Sequence, residues 1–182
     1  MLRRTRADKE GFSLIELVIT IAIMAIVVGG VALTLGLLRS ADSQGAAQRL
    51  NSSLNDLKTQ NMANAYSVYM NVYRHDDNYY VKYTKNNPLT TIDTDDLGKK
   101  IGDSKIIIKF HNNEIVEDRI FSLTIKKSDG SFGTKYTVGN SGYGCVPVTL
   151  PSPAEFSVQA RSGGTVYTVI LVSNTGRHYL DV

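Results

Sequence analysis

The sequence predicts an α+β fold in which one long N-terminal helix packs on an antiparallel β-sheet head. Three observations carry that prediction. Residues 12–38 form an apolar run with Glu16 as its single ionisable side chain. Apolar residues then recur at helical steps through Leu50, Leu54, Leu57, Ala65 and Val68. Beyond Val68 the period drops to two, and turn-forming residues cut the remaining chain into short apolar segments.

Residues 1–11 are a short basic leader, with Arg3, Arg4, Arg6 and Lys9 outweighing Asp8 and Glu10. A basic start before an apolar stretch suggests a secretory signal, but such signals have apolar regions of only ~7–15 residues. As a helix rising ~1.5 Å per residue, 12–38 reaches roughly 40 Å, enough to cross a hydrocarbon core of ~30 Å. It is therefore expected to be a transmembrane helix, with 39–182 folding in water. Cations flanking a first span favour the cytoplasmic side, which places 39–182 outside. Glu16 is the anomaly: a carboxylate within the span costs on the order of 2.5–3.5 kcal/mol, and a compensating partner is expected.

The helix is expected to continue to about residue 65. Asn51, Ser52, Asn55, Asp56, Lys58 and Gln60 fall mostly off its apolar stripe and face water or a neighbour. Val68, Met70 and Val72 then alternate with Tyr69, Asn71 and Tyr73, and His75-Asp76-Asp77-Asn78 turns the chain into a return strand at 79–83. Further strands are expected at 105–110, 119–127, 134–138, 156–161, 165–172 and 177–182. The turns between them fall at Asn112-Asn113, Ser128-Asp129-Gly130, Ser162-Gly163-Gly164 and 173–176. Residues 86–100 and 139–154, the latter with three of the four prolines, read as irregular surface segments.

Composition narrows the function classes. The 182 residues are 42% hydrophobic and 20% charged with a net charge of +3, and the leader holds much of that excess. The head is near neutral and offers no strong field for nucleic acid. Cys145 is the only cysteine, which excludes an internal disulfide or a cysteine metal cluster; no cation beside it argues for a reactive thiol. His75, His111 and His178 are scattered, without metal spacing or a nucleophile partner, and read as solvated. Asp93, Asp95 and Asp96 could offer oxygens to Ca²⁺, but the glycine and distal glutamate of a calcium loop are missing; they read as a solvated turn. The chain therefore reads as no enzyme, with no catalytic residue, cofactor or metal. Tyr66, Tyr69, Tyr73, Tyr79, Tyr80 and Tyr83 could stack on a ligand, although tyrosine suits half-buried strands. Arg161, Arg177, Lys126 and Lys127 could form a basic edge.

The stretch Lys9-Glu10-Gly11-Phe12-Ser13-Leu14-Ile15-Glu16, opening the apolar run, resembles the processing motif of the type IV pilin family, the prepilins cleaved and methylated at the N-terminus. The resemblance implies a cut between Gly11 and Phe12, N-methylation of Phe12, and an assembly role for Glu16, the fifth residue of the mature chain. It implies the pilin fold, with 12–38 as filament core and 39–182 as an extracytoplasmic head. Implied partners are other pilin subunits, a prepilin peptidase, an inner-membrane assembly platform and, before assembly, membrane lipid. One departure is Leu33, where many major pilins carry proline. The C-terminal stretch 169–180, an apolar strand, a glycine turn and an Arg-led return, is similar to the closing hairpin of GspH/FimT-type minor pseudopilins, a pattern that generic hairpins share.

The leading reading is a minor pilin or pseudopilin, a structural subunit of a pilus or pseudopilus serving adhesion and motility, secretion or DNA uptake. It would be a single-pass cell-membrane protein before assembly and extracytoplasmic afterwards. One alternative is a filament-tip module binding DNA or surfaces, which the near-neutral head disfavours; another is a plain single-pass anchored exoprotein.

Overall fold

The computed structural model describes residues 13–133, 135–142 and 146–182. Helix α1 spans Leu14–Ala63. Its start is set by Ser13, whose Oγ accepts from the Ile15 amide at 3.3 Å while its carbonyl takes the first helical bond, from Leu17 at 3.1 Å. The chain divides into two compact units, Met1–Leu37 and Leu38–Val182.

In the first unit, large apolar side chains from Leu14 to Val28 are more than half exposed on every face of the helix. Among the described residues no helix is long and apolar enough to cross a membrane, and the expected span 12–38 extends at both ends past the described side chains.

The second unit holds the head. Strands β1 (Val68–His75), β2 (Asn78–Lys85), β3 (Lys99–Gly102), β6 (Arg119–Thr124), β7 (Lys135–Asn140) and β8 (Val146–Thr149) form one sheet in the order β3-β2-β1-β6-β7-β8. Strands β4 (Ile106–Phe110), β5 (Asn113–Glu114), β9 (Ala154–Ala160), β10 (Tyr167–Val172) and β11 (Arg177–Asp181) form a second, in the order β11-β10-β9-β4-β5. Pairing within both is antiparallel, as the alternation predicts. The single expected sheet is thus two. In the second sheet the alternation is clean: Ile106, Ile108 and Phe110 on β4, Phe156 and Val158 on β9, and Val169 and Leu171 on β10 all point into the core. The core joins these to Leu50, Leu54 and Leu57 of α1, each fully buried, and Phe110 packs against Phe156 with ring centroids 4.7 Å apart and planes tilted by 55°.

Three expectations are corrected. Ala65 is exposed and off the apolar stripe, just past the end of the helix at Ala63. Asn61 explains the ending: buried, it donates to the Leu57 carbonyl at 3.2 Å and brackets Val68, donating to its carbonyl and accepting its amide at 2.9 Å, so the chain must reverse to meet it. Strand β1 is buried on both faces rather than one. Asn71 accepts the Leu89 amide at 2.8 Å and Tyr73 donates to the Leu97 carbonyl at 2.5 Å, so the loop between β2 and β3 covers that outer face. Finally, residues 139–154 contain β8, which sequence pattern hides because it holds Pro147 and is exposed throughout.

The turns follow their residue types. Asp76 and Asp77 both adopt left-handed φ, 49° and 60°, giving the two-residue reversal that matches strand twist. At the β10–β11 turn Gly176 (φ 62°) lies so close to Gly130 that a β-carbon would sit 1.7 Å from its carbonyl oxygen.

Candidate functional site: the apolar helix and the two ends of the head

Gly11 and Phe12, the expected cleavage pair, and Cys145 lie outside the described residues. Glu16 sits in the first turn of α1, exposed, flanked by Leu14, Ile15, Leu17 and Val18. A carboxylate in the first turn is favoured by the amide dipoles at the helix start. Around it, Leu14 is 81% exposed and even Ile19 is 51% exposed. A helix apolar around its whole circumference is stable only where other apolar groups surround it, in lipid or among other helices. In water such a surface would be paired off by association.

The expected sites on the head are rearranged. Of the six tyrosines, Tyr73 and Tyr79 are fully buried, and the other four are half-buried. Tyr73 stacks on Tyr80 at 5.9 Å, and Tyr83 donates to the Ser53 carbonyl at 2.8 Å, tying β2 to α1. Burial pushes both Tyr73 and Tyr83 up to about 12, the Asp96 carboxylate adding to the first. Tyr73 and Tyr83 are packed and bonded rather than presented to a ligand.

Two of the three carboxylates at 93–96 serve their own turn. Asp93 accepts the Asp95 amide at 3.0 Å, and Asp96 accepts the Gly98 amide at 3.2 Å while pairing with Lys82 at 3.1 Å. The hydrogen bond from Lys82 holds the Asp96 carboxyl below its ordinary range. The four cations of the expected basic edge are not all brought together. Arg161 follows β9 and donates to the Ser104 carbonyl at 3.0 Å, whereas Arg177 opens β11 at the opposite end of the same sheet.

Two histidines depart from the solvated reading. His75 is half-buried between carboxylates, with Nδ1 at 3.4 Å from Asp118 and 3.9 Å from Glu117. Their ligand atoms lie within 4.8 Å of one another. Arg74, paired with Asp77 and 3.7 Å from Glu117, and the Asp76 amide, donating to Glu117 at 2.5 Å, already engage this group. Sequence spacing could not reveal it, because 43 residues separate His75 from Asp118 and an Arg74–Glu117 bridge brings them together. His178 is half-buried, its ring 6.3 Å from Phe132, and burial pushes it below its ordinary value, with Lys58 adding to the effect.

What the described geometry defines is a helix that needs an apolar surround, joined in sequence to a head in which many polar side chains bond to their own turns and strands. Residues 6–32 match the prokaryotic N-terminal methylation motif family. The match covers the N-terminal segment alone and supports a type IV pilin-like prepilin with prepilin-type processing. No curated protein and no solved structure matches the chain.

Proposed function

We propose that this chain is a minor pilin or pseudopilin. It would be inserted as a single-pass precursor with its leader in the cytoplasm, cut between Gly11 and Phe12, N-methylated on Phe12, and assembled through α1 into a pilus or pseudopilus. The observation that carries this reading is the coincidence, within 6–32, of the methylation motif with an apolar helix exposed on all faces. Neither lipid nor a helix bundle leaves such a surface in water, and moving from one to the other costs little apolar burial. The membrane can therefore store subunits that a filament later draws in.

Glu16 supplies the register in this reading. Cleavage frees an α-amino group on Phe12, positive at neutral pH. A carboxylate and an ammonium are each costly in an apolar surround and recover much of that cost together. Glu16 of one subunit and the Phe12 amine of the next would pair and set the axial step.

The test is intact-mass analysis of the chain expressed with and without a prepilin peptidase. Loss of residues 1–11 and the mass of one methyl group on Phe12 are expected with the enzyme and not without it. A full-length product in both cases would overturn the reading in favour of a plain anchored exoprotein.

A further inference from the structure

The registers of β1 place two oppositely charged groups at opposite ends of the head. Val68 pairs with Lys85 and His75 with Asn78 on one side, and Tyr69 pairs with Thr124 on the other. At the Val68 end lie Lys85, Lys126 and Lys127, all exposed, together with Lys58, whose Cε would be 3.5 Å from a β-carbon at Gly130. Lys127 donates to the Ala65 carbonyl just past the end of α1. Asp56 and Asp129 are the acids there, so cations are in excess. At the His75 end lie Asp76, Asp77, Glu117 and Asp118, all exposed, against Arg74 and Arg119, with Lys100 opposite Tyr80 and Arg161 near Tyr79 as further cations. The loop carrying Asp93 and Asp95 joins that end, because the Ile92 amide donates to Ser141 Oγ at 3.0 Å and the Ser141 amide to the Asp118 carbonyl at 2.8 Å. Eight strand residues separate the ends by about 25 Å.

The charge axis follows the helix of the head. Asn61, near the end of α1, brackets Val68 at the lysine end. Arg49, three turns earlier, donates to the Ile101 carbonyl at 3.3 Å, beside Gly102, which pairs with Tyr79 at the acidic end. Copies that align their helices and are displaced along them would therefore bring lysines to carboxylates.

We propose that the acidic end of one head docks on the lysine end of a second copy of this chain. Such a contact is heterologous, the surface on one copy differing from that on the next, so it propagates a row instead of closing a dimer. It rests on the filament reading above with this chain as a repeating subunit, and adds to it a polar contact between heads. Being exposed, the contact selects partner and orientation more than it adds affinity, and it weakens with salt.

The test uses the full chain, co-expressed with a prepilin peptidase and an assembly platform, in a Cys145→Ser background carrying Asp77→Cys and Lys127→Cys. Oxidation of sheared filaments should give a ladder with rungs spaced at the mass of this chain. Either cysteine alone should give none. Lys126→Glu with Lys127→Glu, with the cysteines omitted, should lower filament yield several-fold, and Asp95→Lys with Glu117→Lys should restore it. Normal filaments without a ladder, a rung of another mass, or full yield from the charge-reversed chain would each overturn the docking. If instead the parent chain is never cut or never leaves the membrane, the filament reading falls, and the docking with it.

Discussion

The two parts of α1 are one helix in sequence and two in solvent. From Leu14 to Val28 the large apolar side chains are at least 51% exposed whichever way they point, whereas Leu50, Leu54 and Leu57 are fully buried and their intervening residues polar. The first part has no side to hide, so its environment must be apolar all round. The second carries a stripe that the two sheets cover, so its environment is built by the same chain. The difference teaches that an apolar count alone does not say how a helix is stabilised; the angular distribution does.

The largest effect that would break this comparison is a carboxylate on the covered stripe. Leu54→Asp buries an unpaired charge among Phe and Leu side chains at a cost of several kcal/mol, comparable with the ~5–15 kcal/mol of a whole domain. The head should lose its cooperative melt by circular dichroism. Val18→Asp should leave that melt unchanged and instead increase alkaline extraction of the chain from membranes, the cost falling on the apolar surround at about 2.5–3.5 kcal/mol. Equal melts for the parent and Leu54→Asp would show that the core is misplaced.

Glu16→Leu sharpens the apolar part. Cleavage and insertion should persist while the share of processed protein found in sheared filaments falls several-fold. Equal incorporation would remove the pairing role. A smaller effect is expected from Asn61→Ala, which leaves the buried amide of Val68 without its partner at about 1–3 kcal/mol. Its signature is a lower denaturation midpoint with processing unchanged.

The smallest effect concerns pH. Because burial holds His178 below its ordinary value of about 6.5, the unfolded chain binds the proton more readily. The stability this residue contributes is complete above about pH 6.5 and is lost as pH falls below it. The urea midpoint should drop from pH 7 toward pH 5, and His178→Gln should flatten that part of the profile.

Periodicity determined much of this protein before any fold was in hand. The stripe Leu50, Leu54, Leu57 and the alternation of Ile106, Ile108 and Phe110 are properties of neighbours in sequence, and burial follows them directly. The methylation motif is equally local, its residues lying along a single stretch of chain. Tertiary structure alone decided what depends on distant partners. The doubly buried face of β1 exists because a loop crosses it, the ending of α1 because Asn61 meets Val68, and the split into two sheets because β4 pairs with β9 across nearly fifty residues. The acidic end gathers Asp76 and Asp118 only because β1 and β6 lie side by side. Local patterns report which solvent a side chain prefers; which partner meets it there is set by chain closure over long loops, and no short window of sequence records that.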